Sequence, residues 1–464
     1  MSYEIKSWPR VLKLASNDTL TCVAPLRDLP GKRMVCKGEW QDQPVVAKIF
    51  LDPGHGKRHF NREKKGIDAL RETGISTPPL LFAGTAENQN PVLIFAELPS
   101  PQTALQLWQQ AADDTQKTEL LQTLLSLLAQ HHQSGLQQKD LHLGNFLFSD
   151  DTWYTIDGDA VDSSQLGTPL DLTASLSNLA LFFAQLPPDS DDLIANVLDS
   201  YTYPRGLNSH QVITQLTEQL SVVRTRRRQT YVKKSYRTCS EFIRQDNPGQ
   251  IAIYRRDCDT ERITELLKDP DSLIERGEIL KDGNSATVVR IPHPDGDWVI
   301  KRYNYKSFWH GLKRCLRPTR AWRSWGNSHR LKISDIKTPK AVAVIEKRLG
   351  PLRLGAYFVC ENLSAPDAQS YFARDQLDEK DSAAANLVTL FKQLHKLGIH
   401  HGDCKATNFL IHQQQPWVID LDAMREYRSR DTFLRRYQSD RHRFLANWQC
   451  DLRLQSWFVQ NLPS

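Results

Sequence analysis

The chain has 464 residues, 40% of them hydrophobic and 25% charged, with a formal net charge of +6. That length exceeds what one hydrophobic core supports, so two or three domains are expected. The apolar content excludes a disordered chain, and so mild a basic excess by itself indicates neither a nucleic-acid nor a membrane partner. The eight cysteines are scattered, with no CxxC pair and no zinc spacing. The N-terminus has no signal-like apolar stretch, and the most apolar run, Leu170 to Leu186, is broken by Asp171, Ser175, Ser177, Asn178 and Gln185. The expectation is a cytoplasmic protein with reduced thiols and a buried helix in place of a membrane span.

In chain order, residues 11–50 alternate short β-like runs with turn signals such as Leu29-Pro30-Gly31-Lys32, and Pro44 to Phe50 reads as a β-branched strand carrying Lys48. Phe60, Ile67 and Leu70 then recur at helical spacing, with Glu63 placed to face the sheet and Gly74 to stop the helix. Two strands follow, near Leu80–Gly84 and Pro91–Glu97, and the prolines of Leu98-Pro99-Ser100-Pro101 mark a linker. A leucine stripe from Leu120 to Leu128 predicts a helix ending at His131-His132. Histidines at such an end suit the helix dipole better than a metal site.

Next comes Lys139-Asp140-Leu141-His142-Leu143-Gly144-Asn145-Phe146-Leu147, followed by Ile156-Asp157-Gly158-Asp159. The stretch recurs. Gly402-Asp403-Cys404-Lys405-Ala406-Thr407-Asn408-Phe409-Leu410 precedes Ile419-Asp420-Leu421-Asp422, 263 positions later and without a gap. An Asp, an Asn five residues on and a second Asp after a short hairpin are what phosphoryl transfer requires. One carboxylate takes the proton of the attacking hydroxyl, the amide oxygen and the other carboxylate hold Mg²⁺, and a lysine neutralises the nucleotide phosphates.

The second half repeats the surrounding pattern. Gly283-Asn284-Ser285-Ala286 reads as a turn between two strands, either phosphate-covering or an ordinary hairpin, and Lys301 repeats the strand lysine. A stretch over residues 301–325 has no counterpart in the first half. It interleaves Lys306, Lys313, Arg314, Arg317, Arg320 and Arg323 with Tyr303, Tyr305, Phe308, Trp309, Trp322 and Trp325. Such a stretch is either a solvated basic face or a contact with an anionic membrane or glycolipid surface; no nucleic-acid motif accompanies it. Aligning Ile336-Lys337-Thr338-Pro339 with Ile75-Ser76-Thr77-Pro78 puts Ser324 where Glu63 stands. Conversely, His401 keeps a position that Gln138 occupies in the first copy.

With these motifs both halves resemble the protein-kinase-like fold. The lack of an A-P-E motif and of a long activation segment, and the strings D-x-H-x-x-N-F-L, I-D-x-D and Thr168-Pro169-Leu170-Asp171-Leu172, are similar to the lipopolysaccharide core (Kdo/heptose) kinases. The resemblance implies an α+β chain of two tandem bilobal domains, 1–225 and 226–464, each with a β-rich N-lobe and a helical C-lobe. It implies ATP and Mg²⁺ as cofactors and an inner-core glycolipid as acceptor, met at the cytoplasmic membrane face. Asp140 and Asp403 would be catalytic bases, and Asn145, Asp157, Asn408 and Asp420 metal ligands. Lys48, Glu63, Lys301, Gly283, Asn284 and Ser285 would form the nucleotide site; Asp159 and Asp422 either assist the metal or hold the loop. The competing readings are a pseudokinase scaffold in one or both halves, or a protein or small-molecule kinase of the same fold.

Overall fold

Period-two alternation in the first hundred residues builds a six-stranded antiparallel sheet. Its strands are β1 (Arg10–Lys13), β2 (Thr19–Leu29), β3 (Arg33–Trp40), β4 (Gln43–Phe50), β5 (Leu80–Thr85) and β6 (Pro91–Ala96), in the order β1-β2-β3-β4-β6-β5. The computed structural model describes residues 8–29, 31–258, 260–304, 317–373 and 380–464. The chain is mixed α and β and divides into two units, Met1–Arg224 and Thr225–Ser464.

In the first unit β4 turns Val45, Ala47 and Ile49 to one face and Lys48 to the other. Helix α1 (Gly56–Glu72) lays a buried stripe of Glu63, Gly66, Ile67 and Leu70 along the unit, at the i, i+3, i+4, i+7 spacing of a core-facing helix. A second, helical core follows. Asp113 caps the helix Asp114–Gln133, and Asp171 caps Leu172–Phe183. Leu121, Leu124, Leu125 and Leu128 of the former pack in one cluster with Leu176, Leu179, Phe182 and Phe183 of the latter.

The histidine pair at the end of the first of these helices differs from the expectation. Both rings are buried, with His131 Nε2 3.1 Å from Thr155 Oγ1 and His132 between the Tyr201 hydroxyl (2.7 Å) and Asn178 Oδ1 (2.9 Å). Burial pushes His131 down to about 3 and His132 to about 4. They are therefore neutral core groups, not cations serving the helix dipole.

In the second unit a seven-stranded antiparallel sheet runs in the order Phe242–Asn247, Gln250–Arg255, Ala341–Leu349, Leu352–Glu361, Trp298–Tyr303, Ala286–Ile291, Glu278–Gly283. The helix Arg320–Ile333 lies between the lysine strand and the next strand in sequence, as α1 does in the first unit. The helical core is aromatic, with Phe391, Phe409, Phe433, Phe444, Trp448 and Phe458 in one cluster. The arginine run Arg224–Arg228 sits inside the helix Ser209–Lys234. Arg224 pairs with Asp191 at 2.7 Å, and Arg228 with Glu426 at 2.7 Å.

Of the basic aromatic stretch, Tyr305, Lys306, Phe308, Trp309, Lys313 and Arg314 lie outside the described residues. Three of the others are committed to the fold. Trp325 is fully buried, Trp322 stacks on Tyr236 at 5.0 Å between centroids, and Arg320 pairs with Asp422. These contacts tie all three residues into the second unit. Among the described residues no helix is long and apolar enough to cross a membrane.

Candidate functional site

The two copies of the repeated loop fold alike because each residue has the same local task. Asn145 Nδ2 donates to the Asp140 carbonyl at 2.8 Å, and Asn408 Nδ2 to the Asp403 carbonyl at 2.8 Å. That bond fixes each amide with its oxygen as the atom left to meet a cation. Ile156 N then donates to the Asn145 carbonyl and Ile419 N to that of Asn408, tying each loop to the segment bearing the second aspartate. Asp157 and Asp420 both take left-handed backbone angles, φ 69° and 58°. Non-glycine residues hold such angles at a cost, which surrounding contacts must offset. Gln138 does the work of the histidine it replaces: its Nε2 donates to the Ile156 carbonyl at 2.9 Å, where His401 Nε2 meets the Ile419 carbonyl at 3.1 Å.

The lysine environments diverge. In the first unit Glu63 is fully buried and makes a short ion pair with Lys48. Its carboxylate also accepts from Gly158 N and Asp159 N, each at 3.2 Å. Asp157 lies 3.7 Å from Lys48 and 3.8 Å from Arg33, while Asp159 is occupied by His59 (2.8 Å) and Arg62 (2.9 Å). In the second unit no acidic residue stands on the helix Arg320–Ile333, and Ser324 Oγ is 2.8 Å from the Tyr303 hydroxyl. Lys301 turns instead to Asp420 at 2.5 Å and Asp422 at 3.4 Å. Burial opposes the lysine's charge, but Tyr303 and the two carboxylates outweigh it and hold its pKa above the ordinary value. Burial likewise pushes the Asp420 carboxyl up, and Lys301 outweighs that, leaving it below the usual range. Asp422 is also clamped by Arg320 at 2.8 Å, so like Asp159 it is engaged in holding its segment.

How helix and loop approach each other also differs. A Cβ on Gly66 would lie 2.1 Å from the Gly158 carbonyl oxygen, and one on Gly158 2.4 Å from the Glu63 carbonyl oxygen, so backbone meets backbone. At the corresponding positions the second unit has Asn327 and Leu421. There the Asn327 amide bridges the gap, donating to the Leu421 carbonyl at 2.7 Å and to that of Met424 at 2.9 Å.

The second unit holds a cleft of about 580 Å³ lined by Ser285, Lys301, Arg320, Asn408 and Asp420, with Val288, Phe358, Leu410 and Ile419 as apolar walls. That size suits a nucleotide-sized ligand. Gly283 pairs with Ala286 across the sheet, leaving Asn284 and Ser285 as the turn. The Ser285 carbonyl accepts from Asn304 N (3.2 Å) and Arg320 (3.3 Å), which pins the turn over the cleft. Asn408 and Asp420 are oxygen donors of the kind Mg²⁺ takes, with phosphates and water supplying the rest, so the residues fit that ion. Among the described residues no group of three His, Cys, Asp or Glu side chains forms a separate metal site.

Three residues near Asp403 escaped the sequence reading. Arg443 Nε is 2.8 Å from its Oδ1, Lys405 Nζ is 3.4 Å from its Oδ2, and buried Asp440 accepts from His401 N (2.7 Å) and Gly402 N (3.0 Å). The signal for Asp440 was present: with Phe433, Tyr437 and Phe444 it falls on the buried side of one helix, where an acid needs a partner.

A lysine, a loop carrying Asp and Asn, and a following Asp are the groups that phosphoryl transfer uses. Residues 275–441 match the model of the Lipopolysaccharide kinase (Kdo/WaaP) family, a span containing Lys301, Asp403, Asn408 and Asp420. The chain is similar to the "Lipopolysaccharide core heptose(I) kinase WaaP" of Escherichia coli (strain K12), 28% identical over 166 residues, or 33% of this chain and 63% of the relative. A second protein of that name from Escherichia coli is 23% identical over 157 residues, 31% of this chain and 59% of the relative. The chain thus spans less than two thirds of the curated relatives it matches.

Proposed function

We propose that the protein is an ATP- and Mg²⁺-dependent kinase of sugar hydroxyls in the lipopolysaccharide core, built from two protein-kinase-like bilobal domains, with the second as the transferring site. The observation that carries this reading is the coincidence of the family match with a cleft that gathers Lys301, Asn408 and Asp420 beside the Asp403 loop.

Asp403 takes the proton of the acceptor hydroxyl as it attacks. Lys301 and Arg320, at the phosphate end of the cleft, hold the nucleotide phosphates, and Lys405 offsets charge at the transferring group. Asn408 Oδ1 and Asp420 would hold Mg²⁺, which when bound neutralises the phosphate oxygens and fixes their orientation. The apolar walls at Val288, Phe358 and Leu410 take the base.

The first unit keeps Lys48, Glu63, Asp140, Asn145 and Asp157, but has His142 where the second has Lys405. A second reading makes it a regulatory pseudokinase, favoured by the restriction of the family match to the second unit. The test is transfer from radiolabelled ATP to dephosphorylated core lipopolysaccharide by wild type, Asp403→Ala and Asp140→Ala. Loss with Asp403→Ala alone is expected. Full transfer by Asp403→Ala would refute the assignment, and label on protein instead of glycolipid would refute the acceptor.

A further inference from the structure

The helix Arg430–Leu445 begins four residues after Glu426 and runs beside the loop that carries Asp403. Its core face is Phe433, Tyr437 and Phe444. Arg436, Asp440 and Arg443 stand at i, i+4 and i+7, which puts them on one stripe. Asp440 fastens the stripe to the loop through His401 N and Gly402 N. The arginines on either side of it are thereby placed along the loop. Arg443 Nε reaches Asp403 Oδ1 at 2.8 Å with half of its side chain exposed, and Arg436 acts electrostatically on His400.

The first unit shows that this charge is not needed to hold the loop. There the helix Leu172–Phe183 makes the equivalent brace, Asn178 Nδ2 donating to the Gln138 carbonyl at 2.8 Å. Four residues before that brace is Ala174 and three after it is Leu181, and the helix contains no Lys or Arg. Asp403 moreover already has Lys405 at 3.4 Å. A guanidinium bound to the base through Nε presents its two η nitrogens outward as a planar fork, the geometry that grips a carboxylate or phosphate.

Resting on the assignment of Asp403 as the base, we propose that Arg443, assisted by Arg436, forms an acceptor subsite that binds a carboxylate or phosphate on the sugar beside the attacking hydroxyl. Held between that anion and Asp403, the fork sets the hydroxyl against the base. The second unit therefore selects an anionic glycan, and the first unit, lacking the subsite, does not.

The test uses the full chain with three acceptors: dephosphorylated core lipopolysaccharide, the same core after carboxyl reduction, and carboxyl-reduced core that keeps one phosphate. For wild type, KM rises roughly tenfold on the uncharged core, the size of one charge-assisted contact. Recovery on the third acceptor identifies phosphate as sufficient; no recovery identifies carboxylate. Arg443→Gln raises KM on charged acceptors to the uncharged value and leaves KM on the uncharged core unchanged, and Arg443→Lys recovers part of the difference. Wild-type KM indifferent to acceptor charge, or Arg443→Gln lowering kcat equally on all three acceptors, would overturn the subsite. Asp403→Asn separates the two claims. If it still transfers, the base assignment falls and the subsite with it; if it is inactive and Arg443→Gln keeps the wild-type dependence of KM on acceptor charge, the subsite alone falls.

Discussion

The backbone contact between α1 and the Asp157 segment offers a sharp test of how the first unit is held together. In Gly66→Ala the new methyl would sit 2.1 Å from the Gly158 oxygen, 2.7 Å from its carbonyl carbon and 2.9 Å from its Cα. All three are backbone atoms, so no rotamer change relieves the clash and the helix must move away. Overpacking of this kind costs about 1–3 kcal/mol. The same movement lengthens the bonds from Gly158 N and Asp159 N to Glu63, already at 3.2 Å, for a further loss of about 1 kcal/mol each. Alanine is the better helix former by about 1 kcal/mol, which offsets part of this. The net is a local destabilisation of about 2–4 kcal/mol. Amide hydrogen exchange, resolved by peptide over residues 56–72, should then be roughly thirtyfold to several hundredfold faster than in wild type. Unchanged protection of α1 would refute the close approach.

Asn327→Ala is the matching experiment in the second unit. It strips donors from the Leu421 and Met424 carbonyls, and the helix Arg320–Ile333 should lose about 1–3 kcal/mol of protection by the same measurement. The pair His131 and His132 gives the first unit a pH dependence. Burial depresses their folded pKa below the unfolded value of 6.5, so no stability is lost above pH 6.5. As pH falls from 6.5 toward about 4 the unfolded chain binds protons that the fold refuses, and stability declines. His132→Gln should flatten that decline, by on the order of 3 kcal/mol at its lower end, in urea titrations at stepped pH. An unaltered slope would remove His132 as the cause. Glu63→Gln weakens the Lys48 pair in a fully buried site, and urea unfolding should show a loss of about 3–5 kcal/mol in the first unit.

Much of the molecule was legible in the chain because its signals are local. Period-two runs gave the lysine strands, leucine spacing gave the helix Asp114–Gln133, and the repeated Asp/Asn/Asp string marked both loops and their order. Even the missing acid opposite Lys301 followed from counting along the repeat. Contacts between segments distant in sequence were not legible. That Lys301 turns to Asp420 and Asp422, that Asn327 fills the space left by a glycine pair, and that Arg443 lies against Asp403 depend on where whole elements dock. Docking is set by side-chain volume and burial, not by spacing. The same holds for Trp322 and Trp325, whose basic surroundings suggested an interface although their rings belong to packing. Sequence alone determined which groups each copy of the loop possesses. Tertiary structure decided which partners those groups meet, because the energy of a buried charge depends on the few groups within reach and not on its neighbours along the chain.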